Sequence, residues 1–128
     1  MREQDIQSQI RLFVSQNRLG VLFRANVGEG WTGDRVQHNP DGSITIYRPR
    51  RLKTGLPVGF SDLFGVTGTG QAVFIEVKSK TGRMRPEQEN FLQQMLQYGA
   101  LAGVARSTED AEHIIKCGIE GRCICEDC

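Results

Sequence analysis

Along the first sixteen residues, apolar side chains recur every three to four positions. Ile6, Ile10, Phe13 and Val14 fall on one stripe, with Gln7, Gln9 and Arg11 elsewhere. The spacing predicts an amphipathic helix from Glu3 to Gln16, ended by Asn17 to Gly20. Val21 to Ala25 is predicted as a strand. Asn26 to Gly33 reads as a flexible glycine-rich loop without the Gly-Lys-Ser/Thr ending of a phosphate-binding loop. Arg35–His38 and Ser43–Tyr47 flank Asn39-Pro40-Asp41-Gly42, a strong hairpin signal. Few large apolar residues line either flank, so this hairpin is expected at an edge or as a protrusion. Asp62–Val66 and Ala72–Lys78 are predicted strands joined by Thr67-Gly68-Thr69-Gly70. Alternation puts Phe74, Glu76 and Lys78 on one face and Val73, Ile75 and Val77 on the other, which is the core face. Pro86 opens a second helix whose inward stripe is Gln88, Phe91, Leu92, Met95 and Leu96, and Gly99 stops it. Leu101–Arg106 is a short strand. Ser107-Thr108-Glu109-Asp110 caps a last helix that turns Ala111, Ile114 and Ile115 inward. The chain is therefore of the α/β class, with one hairpin set into the series.

A chain of 128 residues fits one domain, placed at residues 1–116, with a tail at 117–128. The formal net charge of +1 excludes a global polycation. Contacts to nucleic acid must then come from local clusters. Arg48-Pro49-Arg50-Arg51-Leu52-Lys53 is the densest of these, read as a loop that is either solvated or grips phosphate. Lys80, Arg83 and Arg85 form another loop cluster. Arg50, Arg51, Lys53, Lys80, Arg83 and Arg85 are the candidate DNA contacts. No apolar run approaches the roughly 18 residues of a membrane span. The polar start, Met1-Arg2-Glu3-Gln4-Asp5, lacks the pattern of a signal peptide, so a cytoplasmic protein with no membrane partner is expected. All four cysteines, Cys117, Cys123, Cys125 and Cys128, lie in the last twelve residues. Their spacing is not a standard zinc pattern, and free thiols are favoured over a zinc knuckle there.

The candidate chemistry lies in Gly59-Phe60-Ser61-Asp62-Leu63 and Glu76-Val77-Lys78, with thirteen residues between Asp62 and Glu76. Two carboxylates at the ends of adjacent strands can hold a hard divalent cation such as Mg²⁺ or Mn²⁺, which prefers oxygen ligands and keeps several waters. The Val77 carbonyl is a candidate third ligand. The Lys78 amine cannot bind the cation while protonated, but it can orient water or stabilise developing negative charge. This is equipment for metal-assisted phosphodiester hydrolysis. The competing reading makes Glu76 and Lys78 an ion pair on a solvated strand face. Glu3 lies on or beside the buried stripe near its helix start, where a carboxylate also complements the helix dipole. His38 and His113 are too isolated for a catalytic pair. Trp31 and Tyr47 could stack on bases, although loop packing explains them equally.

Taken together these motifs resemble the PD-(D/E)XK nuclease superfamily, and within it the virus-type replication–repair nuclease (VRR-Nuc) domain, in its stand-alone phage-type form. The marks are Glu3 and Gln7 on the first helix, Gly55 to Leu63, Phe74 to Lys78, Pro86-Glu87-Gln88 with Phe91, and the strand around Val104 to Arg106. The resemblance implies a restriction-endonuclease-like mixed sheet flanked by helices in the order αβββαβα, with residues 35–47 as an inserted β-hairpin. It assigns catalytic roles to Glu3, Asp62, Glu76, Lys78 and Gln88, with Asp62, Glu76 and Val77 holding Mg²⁺ or Mn²⁺. It also implies DNA as substrate, branched DNA such as four-way Holliday junctions above all, and a homodimer that makes paired cuts. Flap- or end-directed cleavage at the same site, and a DNA-binding module without catalysis, are the alternatives. A phage-encoded member would work in the cytoplasm of its bacterial host.

Overall fold

The computed structural model describes residues 1–26 and 28–119. In chain order the elements are α1 (Glu3–Gln16), β1 (Gly20–Arg24), β2 (Glu29–Thr32), β3 (Arg35–His38), β4 (Ile44–Tyr47), β5 (Arg50–Lys53), β6 (Leu63–Thr67), β7 (Ala72–Val77), α2 (Pro86–Gln97), β8 (Leu101–Ala105) and α3 (Thr108–Ile119). Two compact units result. One joins Met1–Ala25 to the chain from Val58 onward, and the other is Asn26–Pro57.

The first unit carries a four-stranded sheet in the order β1-β6-β7-β8. β1, β6 and β7 are antiparallel neighbours, and β8 runs parallel to β7. A parallel neighbour requires a crossover, and α2 provides it. The element order of this unit is αβββαβα, and its mixed sheet flanked by helices is a restriction-endonuclease-like fold.

One sheet face packs Leu22, Leu63, Val73, Ile75 and Val77 against Ile6, Ile10 and Val14 of α1 and Ile114 and Ile115 of α3. The helical stripe and the strand alternation meet here, which is why both were readable. The opposite face packs Phe91 and Leu92 of α2 over Ala102, with Phe60, Phe74 and Val104 at its margin. The sequence reading gave only one face of β7 to the core. The structure buries both, because α2 lies over the face that holds Glu76. Ser107 Oγ accepts a bond from the Asp110 amide at 3.2 Å, and this caps α3.

The second unit is built from two strand pairs, β2–β5 and β3–β4. The hairpin forms as its turn residues predict. Asp41 Oδ1 accepts the Ser43 amide at 2.9 Å, and Gly42 takes a φ of 88°. The loops expected at Asn26–Gly33 and Arg48–Lys53 are corrected, since each contains a strand and the two strands pair. Glu29 stands opposite Lys53 and Trp31 opposite Arg51, cross-strand partners that favour pairing. Local periodicity could not reveal this, because each four-residue strand finds its partner about twenty residues away. Among the described residues, no helix is long and apolar enough to cross a membrane.

Several glycines are fixed by packing, and two of them meet the helices. A Cβ on Gly103 would come within 2.8 Å of Ile114 Cδ1, so any side chain there would make Ile114 of α3 shift. Gly59 has a φ of +89°, and a Cβ there would stand 2.4 Å from the Glu87 carbonyl oxygen. Gly59 thus brings the segment before Asp62 against the start of α2. Replacing it by alanine combines left-handed strain with a backbone clash. Gly59→Ala is expected to lower stability by about 1–3 kcal/mol in urea unfolding; a loss below about 0.5 kcal/mol, the range of neutral surface changes, would contradict this packing.

Candidate active site

Asp62 is the residue just before β6, and the antiparallel register of Leu63 with Ile75 sets it beside Glu76. The two are tied reciprocally. The Asp62 amide donates to Glu76 Oε2 at 3.2 Å, and Asp62 Oδ2 accepts from the Val77 amide at 3.0 Å. Side-chain bonds replace the backbone ladder at this point, so the strands continue together while their carboxylates converge. Ser61, buried beside them, donates its hydroxyl to the Leu63 carbonyl at 2.8 Å and fixes the turn into β6.

Gln88 reaches the same place from α2. Its Oε1 accepts the Arg85 amide at 3.0 Å and its Nε2 donates to Glu76 Oε1 at 3.1 Å. One carboxamide therefore caps α2 and holds the carboxylate. The Lys78 Nζ lies 3.9 Å from the same Glu76 Oε1. Glu76 is 2% exposed, Lys78 8% and Gln88 6%. The reading of Glu76 and Lys78 as a solvated surface pair is thereby excluded. Beneath this cluster Phe60 contacts three rings, with centroids 4.8 Å from Phe91, 5.6 Å from Phe64 and 5.9 Å from Phe74. The aromatic cluster clips the Asp62 segment, β7 and α2 together.

Burial pushes the Glu76 carboxyl up to about 8; the adjoining Asp62 carboxyl adds to the rise, and Lys78 and the Asp62 amide only partly oppose it. A buried carboxylate beside another carboxylate is electrostatically unfavourable without added positive charge. A divalent cation between them relieves that repulsion, so the donor set fits such an ion. Strand geometry offers a further oxygen. The Lys78 amide points to the Ala105 carbonyl of β8 at 3.1 Å, whereas the Val77 amide points to Asp62. In an extended residue the N–H and C=O point the same way, so the Val77 carbonyl also points toward the Asp62 side. Among the described residues, no three His, Cys, Asp or Glu side chains converge as a metal group. The site therefore has two carboxylates and a backbone oxygen, a set suited to a cation that keeps water.

Asp62, Glu76, Val77, Lys78 and Gln88 are thus brought together. Glu3 is half-buried in the same unit, with Oε1 3.1 Å from the place of a Gly82 Cβ, against the turn that follows Lys78. Among the described residues it makes no hydrogen bond to Asp62, Glu76 or Lys78. Lys80, Arg83 and Arg85 are exposed on the segment between Lys78 and α2. Arg50, Arg51 and Lys53 belong to the second unit, where Asp34 and Glu29 pair with them. Sequence reasoning missed Arg106, whose Nη1 donates to the Ser79 carbonyl at 2.5 Å and the Gly82 carbonyl at 2.7 Å. It clamps the turn that meets Glu3. Only its position at the end of a strand signalled it. Of the cysteines, Cys117 is buried with its Sγ 3.2 Å from His113 Nδ1; Cys123, Cys125 and Cys128 lie outside the described residues.

Residues 32–109, more than half of the chain, match the family model of the VRR-NUC domain. The chain belongs to the VRR-NUC domain family. The match includes Asp62, Glu76, Lys78 and Gln88, together with the hairpin, while Glu3 precedes it. No curated protein matches the chain. As a VRR-NUC domain it has a nuclease-type, hydrolytic function, which implies DNA as its substrate.

The carboxylate pair has a consequence for stability. The folded-state value of Glu76 lies above its ordinary value of 4.5, at about 8. Its contribution to stability is thus complete below pH 4.5 and lost as pH rises through about 8. In EDTA, the unfolding temperature of the wild type is expected to carry a downward component across this window that Glu76→Gln lacks. Parallel pH profiles for the two proteins would contradict the placement of a strained carboxylate here.

Proposed function

We propose that this VRR-NUC domain is a metal-dependent DNA endonuclease, selective for branched DNA such as a four-way junction. The carrying observation is the group in which Asp62 and buried Glu76 share backbone bonds while buried Lys78 and Gln88 meet one oxygen of Glu76. Asp62, Glu76 and the Val77 carbonyl would hold Mg²⁺ or Mn²⁺. When bound, such a cation supplies a Lewis acid and a water of lowered pKa. The rest falls to the chain. Gln88 fixes the Glu76 carboxylate so that its second oxygen turns toward Asp62. Lys78 holds its ammonium next to the carboxylates, where it orients a water and balances charge developing on the phosphate. Exposed Lys80, Arg83 and Arg85 follow directly in sequence and supply phosphate contacts.

The preference for branched DNA is supported by the resemblance to small junction-resolving nucleases. Two symmetric cuts require two such sites, which a homodimer with two-fold symmetry provides. Flap- or end-directed cleavage would use the same residues and differ in the substrate ranking alone. With Mg²⁺ and a synthetic junction, Asp62→Ala is expected to lose at least about 100-fold in cleavage rate, the scale of several kcal/mol of metal assistance. Lys78→Ala is expected to lose about 100-fold or more in rate with little change in junction affinity. Equal cleavage by wild type and Asp62→Ala would overturn the mechanism. A loss in Lys78→Ala that merely follows weakened binding would overturn the role given to the amine, and faster cutting of linear than of junction DNA would overturn the substrate assignment.

A further inference from the structure

The β2–β5 ribbon carries a large aromatic residue with no core to join. Trp31 is 60% exposed. A two-stranded ribbon has no second layer under which to bury such a ring. The Arg51 guanidinium, directly opposite in the ribbon, lies 5.7 Å from the Trp31 ring centroid. This cation–π contact orients the ring without covering it. The same arrangement recurs on the neighbouring pair β3–β4, where Arg35 lies 5.4 Å from the centroid of Tyr47, itself 45% exposed.

Charge in this unit is arranged to leave a surplus. Glu29 pairs with both Arg51 and Lys53, and Asp34 with both Arg48 and Arg50. Two carboxylates thus serve four cations. All of these side chains are largely exposed, so each pair is weak and can be exchanged for a phosphate. An open aromatic ring among surplus cations is the combination that binds single-stranded nucleic acid, with a base stacked on the ring and cations along the backbone. A base inside a duplex keeps its faces in the helical stack and cannot use such a ring.

We propose that the β2–β5 ribbon is a stacking platform, on which an unpaired base of the DNA lies against Trp31 while Arg48, Arg50 and Lys53 contact neighbouring phosphates. The choice of DNA rests on the nuclease reading. The platform adds a preference for places where strands separate, as at a branch or a frayed end.

Trp31 is the only tryptophan in the chain, so fluorescence excited at the red edge, where tyrosine does not absorb, reports this ring alone. The full-length protein in EDTA, where no metal-dependent cutting occurs, is titrated with oligothymidylate and with a blunt duplex of equal length. Binding is followed separately by the anisotropy of a dye on the DNA. The oligothymidylate is expected to quench Trp31 strongly and the duplex to leave it nearly unchanged. Trp31→Ala is expected to bind oligothymidylate about tenfold more weakly, and Trp31→Phe to retain most of the affinity. Binding without quenching, no binding of oligothymidylate, or unchanged affinity in Trp31→Ala would each overturn the platform. Cleavage of DNA by the wild type with Mg²⁺ separates the two readings. Cleavage without quenching removes the platform and keeps the nuclease, whereas quenching without cleavage keeps the platform and removes the nuclease.

Discussion

Two carboxylates held side by side, one of them sealed from water, are the constraint on which this molecule turns. The antiparallel register of β6 and β7 brings Asp62 next to Glu76, and each accepts an amide from the other's strand. Burial then raises the free energy of placing charge on Glu76, and the neighbouring Asp62 carboxyl adds to it. A protein built only for stability would fill this position with apolar side chains, because buried charges are a poor source of stability. Here the surrounding structure instead secures the pair. Gln88 braces one oxygen of Glu76, the Phe60 cluster locks three segments beneath it, and Gly59 allows the Asp62 segment to approach α2. In the proposed mechanism the repulsion between the acids is what a cation would relieve, with Lys78 3.9 Å from Glu76.

The core of this arrangement could be read along the chain because it rests on short periodicities. Strand alternation separated Glu76 and Lys78 from Val73, Ile75 and Val77, and helix spacing placed Gln88 on the inward stripe of α2. Both patterns are local. What escaped depends on contacts between distant segments. The burial of Glu76 and Lys78 follows from α2 crossing over β7, which no alternation in β7 announces. Arg106 acts through two carbonyls of a turn more than twenty residues earlier. The β2–β5 pairing likewise joins segments whose compositions, glycine-rich and arginine-rich, resemble loops when taken singly. Resemblance placed Glu3 in the catalytic set, and its carboxylate rests against the turn after Lys78.

The two compact units are built differently. The first has two packed cores and gives rigidity where angles and distances between oxygens matter. The second has exposed strand pairs, weak ion pairs and open aromatic rings, which suit contact with a flexible polyanion more than precise chemistry. The proposed placement of chemistry on the sheet and recognition on the ribbons follows from what each can hold still. The same division explains why the basic run from Arg48 to Lys53 looks like a binding loop in sequence and is a paired strand in the fold.

The shared cation site is tested most directly by Mn²⁺ soaked into crystals of the full chain, with anomalous diffraction recorded for wild type and Asp62→Ala. One anomalous peak is expected within about 2.2 Å of oxygens from both Asp62 and Glu76, and it should vanish in the variant. Manganese bound elsewhere with nothing between these acids, or an undiminished peak after Asp62 is removed, would contradict the account.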